Sequence, residues 1–251
     1  MKKLASIVLA AGKGTRMKAN KPKVVFPLAG KPMINRVLET ARKIDSDLIT
    51  VVVGYKKDEV IATTKHNEKI KFVVQVEQNG TGHAVMVTEE QFKDFEGDVF
   101  ILCGDVPLLR HQTLEKMLDH HRENNAACTV LTAEMDDALR YGRIVRNEKG
   151  NVQCIVEFKD ANAEERMITE INTGIYCFDA KSLFKALKNI SNNNKQNEYY
   201  LTDTLQILNN ENKLVTSVLL EDMVEASGIN SKEQLTKLEN EYFKRKTHFD
   251  N

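Results

Sequence analysis

Short unbroken apolar runs alternate with stretches of helical period over the first 135 residues of the chain. Ser6 to Leu9, Leu48 to Val53, Phe72 to Val76, Val99 to Cys103 and Cys128 to Leu131 are rich in branched residues, the pattern of strands buried on both faces. Between them, Pro32 opens a segment in which Met33, Val37, Ala41 and Ile44 fall close to one face, and Leu114, Met117, Leu118 and His121 do the same later. This rhythm predicts an α/β fold whose sheet is mainly parallel and covered by helices on both sides.

The pattern changes after about residue 140. From Tyr141 to Phe158 two strand-like runs flank the turn-rich Asn147-Glu148-Lys149-Gly150, which predicts a hairpin, and Thr173 to Phe178 adds another strand. Asp179 is placed to cap a helix reaching about Ile190, Asn189 to Asn197 reads as a surface loop, and Tyr199 to Asn209 reads as a helix. A strand from Leu214 to Leu219 precedes a last helix opened by Ser231, with Gln234 three residues on completing a capping box. The end, Lys244 to Asn251, is expected to fray.

Composition narrows the class. The 36 basic and 36 acidic residues cancel, so no overall field favours nucleic acid or an anionic membrane, and neither is expected as a partner. Cys103, Cys128, Cys154 and Cys177 are dispersed on strand-like runs with no CxxC pair, which reads as small buried hydrophobes in a reducing compartment rather than zinc ligands or nucleophiles. Gly12 and Lys13 interrupt the first apolar stretch too early for a signal peptide, and nowhere do 18 apolar residues run together. A cytoplasmic protein is expected.

Chemistry concentrates at strand ends, where open α/β sheets bind ligands. The run LAAGKGTRM from Leu9 to Met17, with Pro22-Lys23 behind it, joins a strand end, two glycines that admit backbone N–H groups to a phosphate, and cations at Arg16 and Lys23. Met17 stands where a dinucleotide fingerprint needs its third glycine, and the Gly-Lys-Ser/Thr of a Walker loop is missing. Gln75 ends the third strand and Gly104-Asp105 follows the fourth, so these should converge on the glycines. A carboxylate beside phosphates calls for a cation between them, and magnesium is the usual one; the other reading of Asp105 is a cap on the turn at Val106-Pro107. His83 and the pair His120-His121 sit in no ligand spacing and read as helix-face or surface residues.

Seven segments in series, LAAGKGTRM with Pro22-Lys23, QVEQNGTGHA (75–84), LCGDVPL (102–108), YGRI (141–144), IVEFKD (155–160), EINTGIY (170–176) and GIN (228–230), resemble the uridylyltransferase domain of bacterial N-acetylglucosamine-1-phosphate uridylyltransferases. The resemblance implies a Rossmann-like, mixed and mostly parallel sheet of the nucleotide-diphospho-sugar transferase type, with residues 1–230 as the transferase, its sugar-binding part from about 140, and 231–251 as a C-terminal helix and tail. It implies that Leu9, Ala10, Ala11, Gly12, Gly14 and Thr15 wrap the nucleotide, with Arg16 and Lys23 as a cationic clamp on the phosphates. It further implies that Gln75, Gly80 and Thr81 read the uracil edge, and that Gly142, Glu157 and Asn172 bind the N-acetylhexosamine. Lys159 and Lys195 would add charge near the sugar phosphate, and Asp105 and Asn230 match the family's magnesium ligands. Taken alone, Asn230 is an ordinary turn residue, Gly142 a hairpin glycine, Glu157 a solvated strand carboxylate and Asn172 a strand-end asparagine.

The implied reaction joins UTP to N-acetylglucosamine 1-phosphate with loss of pyrophosphate. Two features depart from the family pattern. Cys103 stands where a bulkier residue, often tyrosine, is expected, and no hexapeptide repeats of an acetyltransferase domain follow the last helix, so acetyl transfer is not expected. Two other readings stay open: a transferase for another base or sugar, such as glucose 1-phosphate, and a nucleotide-sugar sensor without turnover. Gln75, Gly80-Thr81, Glu157 and Asn172 together speak against the first, and Arg16, Lys23 and Asp105 against the second.

Overall fold

In a computed structural model, which describes residues 2–249 apart from 18, 65–68, 137 and 139, one nine-stranded sheet runs through the molecule. Its strands are β1 (Lys3–Ala10), β2 (Leu48–Val53), β3 (Ile70–Val74), β4 (Gly97–Cys103), β5 (Cys128–Glu134), β6 (Arg143–Arg146), β7 (Val152–Val156), β8 (Glu170–Asp179) and β9 (Val215–Leu219). The path is β9-β5-β8-β4-β1-β2-β3, with β6 and β7 forming a hairpin attached to β8. β1 pairs parallel with β2 and β4, β2 with β3, and β9 with β5, whereas β8 runs antiparallel between β4 and β5. The expected mixed, mostly parallel α/β architecture is present.

Helices cover both faces. α1 (Met33–Lys43) and α4 (His111–Glu123) bury Val37, Leu38, Leu114 and Met117 against Val8, Phe100 and Leu102 on one side. α3 (Thr81–Met86), α5 (Ala180–Leu187) and α6 (Asp203–Asn210) pack Val85, Leu183 and Leu205 on Ile7, Ile101 and Phe178 on the other, while α2 (Lys57–Thr63) buries Val60 on the first side. Burying both faces explains why these strands read as continuous apolar runs. A third cluster of Met17, Leu28, Met33, Leu108, Ile229, Leu238 and Tyr242 docks α7 (Lys232–Lys244) beside the loop after β1.

Several boundaries differ from expectation. β3 ends at Val74, two residues before the expected Val76, because the Gln75 N–H makes the last bond to β2, at Val53 O, and Val76 is exposed. β8 begins at Glu170 and carries an irregularity between Asn172 and Tyr176 against β5, where residues 173–175 stand opposite Leu131 alone, a bulge that bends a strand and re-aims its side chains. Helix α5 stops at Leu187 instead of about Ile190, and α6 starts at Asp203, leaving Tyr199 to Thr202 as connecting chain instead of helix. The tail does not fray through its described part: a short helix, α8 (Lys246–Phe249), follows α7, and residues 250–251 lie outside the described ones. Among the described residues no helix is long and apolar enough to cross a membrane.

Candidate active site

β1 and β4 are parallel neighbours, so the loops after Ala10 and Cys103 emerge side by side. The Gly104 N–H donates to Leu9 O at 3.0 Å, and Ala11 O accepts from Tyr55 N–H at 3.0 Å and Gln78 Nε2 at 2.9 Å. Gly12 and Thr15 are exposed on this loop, and so is Arg16, on the short turn Thr15–Met17. Met17, the residue that breaks the dinucleotide fingerprint, is fully buried in the third cluster and anchors the loop.

Gly14 has φ +62°, and a Cβ there would stand 2.6 Å from the Lys23 Cβ, so only glycine lets the loop close over that lysine. Lys23 lies on a short turn after Pro22 and points its ammonium inward. Lys23 Nζ donates to Asp105 Oδ2 and, at 2.8 Å, to Asn230 Oδ1. Three residues spread over 207 positions of sequence therefore meet at one atom.

The backbone fixes that meeting. Asp105 O accepts from Ile229 N–H at 3.0 Å, tying the segment after β4 to the segment before α7. Ser231 Oγ accepts from Gln234 N–H at 3.2 Å, as a cap should, but the Gln234 side chain reaches Asn230 N–H at 2.7 Å rather than that of Ser231. The capping box thus holds Asn230 itself. The turn at Val106 closes backbone to backbone, Val106 N–H to Cys103 O at 3.1 Å, leaving the Asp105 carboxylate on Lys23 instead of capping. Burial and the Asp105 charge push the Cys103 thiol up to about 12, which makes it no nucleophile at neutral pH.

On the β3 side, Gln75 is buried and donates through Nε2 to Gly80 O at 3.1 Å and His83 Nδ1 at 3.2 Å. Gly80, at φ +107°, would put a Cβ 2.6 Å from Tyr199 O. Thr81 Oγ1 accepts from Leu201 N–H at 3.2 Å, and Gly82 N–H donates to Tyr199 O at 2.7 Å, so the 199–201 chain clasps this loop.

The same connecting chain reaches the β7 end. Thr202 Oγ1 donates to Glu157 Oε1 at 3.3 Å. Burial pushes the Glu157 carboxyl up; the Thr202 bond opposes this, and the negative charges of Asp160, Asp203 and Glu198 add to it. Gly142 lies beside this strand, with Asn172 N–H donating to Gly142 O at 2.9 Å. The Asn172 amide is largely spent within the protein: Nδ2 donates to Tyr176 Oη at 2.7 Å and Oδ1 accepts from Gly174 N–H at 3.0 Å. Lys195 Nζ donates to Lys159 O at 2.8 Å, its N–H donates to Asp160 Oδ1 at 3.0 Å, and both lysines are exposed or half-exposed.

The sequence did not announce the contacts made by Thr202, Tyr141 and His83, nor the 199–201 clasp. The Gly228 backbone hydrogen-bonds the Tyr141 phenol, joining the YGRI segment to the GIN segment. Arg143 of YGRI turns inward, its guanidinium donating to Ala138 O at 3.2 Å and to Tyr141 O, so it holds the turn. The Glu198-Tyr199-Tyr200-Leu201-Thr202-Asp203 run carried the only signal, and its apolar spacing masked it as helix. Among the described residues no three His, Cys, Asp or Glu side chains group as a metal site, which leaves Asp105 and Asn230 as a two-oxygen set.

The nucleotidyl transferase family profile matches residues 5–224. The chain is 46% identical over 243 residues to the Bifunctional protein GlmU of Lactococcus lactis subsp. lactis, covering 97% of this chain and 53% of that protein. It is 44% identical over 239 residues to the Bifunctional protein GlmU of Bacillus subtilis, covering 95% and 52%. The chain thus spans about half the length of the curated relatives it matches. A solved UDP-glucose pyrophosphorylase in complex with UDP-glucose shares the fold, with TM-score 0.78 at 22% identity over 98% of this chain and 100% of that one.

Proposed function

Because the chain belongs to the nucleotidyl transferase family, we propose that it transfers the uridylyl group of UTP to N-acetylglucosamine 1-phosphate, giving UDP-N-acetylglucosamine and pyrophosphate. The convergence of Lys23, Asp105 and Asn230 beside the glycine loop carries this reading. It sets a cation and two oxygen donors where phosphates would lie. Residues 1–230 are the transferase in this reading, with the sugar side from about 140, and 231–251 brace Asn230. The free cysteines suit work in a reducing cytoplasm.

In the proposed reaction an oxygen of the sugar 1-phosphate attacks the α-phosphorus of UTP in line. The new P–O bond forms as the bond to the bridging oxygen of the β-phosphate breaks, and pyrophosphate leaves with that electron pair. No covalent nucleophile is needed, and the protein's task is positioning and charge neutralisation. Leu9 to Ala11 border the nucleotide, Gly12, Gly14 and Thr15 line its phosphates, and Lys23 and Arg16 offset their charge. Gln75, Gly80 and Thr81 meet the base. Glu157 accepts from sugar hydroxyls, while Gly142 gives room and Asn172 shapes the wall.

The donor set fits magnesium, because Asp105 Oδ2 and Asn230 Oδ1 already converge on one cationic centre and are both hard oxygens. Asp105 and Asn230 would hold the ion, which when bound supplies charge neutralisation on the phosphates. Lys23→Ala and Asp105→Ala should each lower turnover by at least about 100-fold, measured as pyrophosphate release with magnesium across a panel of nucleoside triphosphates and sugar 1-phosphates. Near-normal turnover in either folded variant removes that residue from the mechanism. Absence of turnover by the parent protein with every pair would favour a sensor.

A further inference from the structure

We propose that His83 is a positioning residue for base selection, fixing which end of the Gln75 amide faces the nucleotide; the proposal rests on Gln75 being the base contact. Gln75 is 4% exposed, and its amide nitrogen is held by protein groups rather than water. Gly80 O can only accept, which identifies the amide atom 3.1 Å away as the nitrogen, Nε2. The same nitrogen lies 3.2 Å from His83 Nδ1, so that ring nitrogen accepts and the imidazole carries its proton on Nε2.

Both N–H groups of the amide are thereby turned into the protein. Among the described residues nothing donates to Gln75 Oε1, and it remains as the end available to a ligand. A lone acceptor matches an imide N–H, as on N3 of uracil or thymine. It opposes N3 of cytosine, which is itself an acceptor. Turning the amide over would set Oε1 against Gly80 O in a buried site and would force the His83 proton from Nε2 to Nδ1. Gly80 O also accepts from Ala84 N–H at 3.1 Å, so it is shared, while His83 Nδ1 is the acceptor provided by a side chain.

Four variants test this on the intact chain: His83→Leu, His83→Phe (ring bulk without the acceptor), His83→Asn (amide oxygen at the Nδ1 position) and Gln75→Leu. His83→Leu and His83→Phe should each raise KM for UTP about tenfold with little change in kcat, and lower the UTP-over-CTP ratio of kcat/KM by a similar factor. His83→Asn should stay within about twofold of the parent protein, and adding His83→Leu to Gln75→Leu should cost nothing further. Parental KM and base preference in His83→Phe would overturn the proposal. So would failure of His83→Asn to rescue, or an undiminished His83→Leu effect in the Gln75→Leu background. If Gln75→Leu itself leaves KM for UTP and base preference untouched, the underlying base contact is wrong, which is a separate failure. Melting curves identify any variant that fails to fold, and His83→Phe then replaces His83→Leu in the double mutant.

Discussion

Gly14 is a single position at which backbone and side-chain constraints coincide. Its left-handed φ and the 2.6 Å approach of the Lys23 Cβ both exclude a side chain. Gly14→Ala should therefore displace Lys23 and cut turnover at least about tenfold, with a stability loss of about 1–2 kcal/mol. Steady-state kinetics and urea unfolding read the two effects, and an unchanged kcat would show that the loop does not depend on this approach. At this scale the meeting of the glycine loop with Lys23 and Asp105 was legible, because glycines, cations and a strand-end aspartate announce themselves by type and spacing. The contacts Gln75–His83 and Glu157–Thr202 were not, since each is an ordinary side-chain hydrogen bond decided by packing. Asn172, an ordinary strand-end asparagine by type whose sugar role came from the resemblance, has both ends of its amide engaged inside the protein.

Strand β4 carries a second charged centre at its other end. Asp98 is fully buried, with Lys2 Nζ at 2.6 Å, Arg122 Nε at 2.8 Å and His121 Nε2 at 3.5 Å. Burial pushes its carboxyl up, but contacts with His121, Lys2 and Arg122 outweigh that and hold it well below the usual carboxylate range. Asp98→Asn should destabilise the fold by about 2 kcal/mol at neutral pH, less than for a wholly buried pair because Lys2 and Arg122 are partly exposed and regain water. The folded aspartate takes up its proton less readily than the unfolded one, so its contribution is whole above about pH 5 and declines as pH falls. The stability gap between parent and variant, by urea unfolding, should narrow between pH 7 and about pH 3.5; a constant gap would mean that charge is not the cause. His121 belongs to this centre, which agrees with its reading as a helix-face residue. Apolar runs located every strand of the parallel half, while their ends moved by a few residues because pairing partners, not composition, stop a strand. The β8 bulge was hidden for the same reason.

Across the whole molecule, one site is assembled from both ends of the chain. The third apolar cluster joins Met17 in the glycine loop to Leu238 and Tyr242 of α7, and thereby holds Asn230 against Lys23 and Asp105. Leu238→Ala should cost about 2–3 kcal/mol and, by loosening α7, raise the magnesium concentration needed for half-maximal turnover several-fold. A loss of stability with an unaltered magnesium requirement would separate the cluster from the site. The alternating architecture was legible from hydrophobic period alone, but this closure was not: contacts between residues more than 200 positions apart leave no local pattern. The connection from Tyr199 to Thr202, which joins the Gly80-Thr81 loop to Glu157, was misread because its apolar residues also fit a helix.

The most direct test supplies UTP and magnesium with equal concentrations of N-acetylglucosamine 1-phosphate and glucose 1-phosphate in one reaction, and resolves the nucleotide sugars by mass. UDP-N-acetylglucosamine should be the dominant product, with one pyrophosphate released for each molecule formed. Dominant UDP-glucose, or no nucleotide sugar at all, would contradict the proposed reaction.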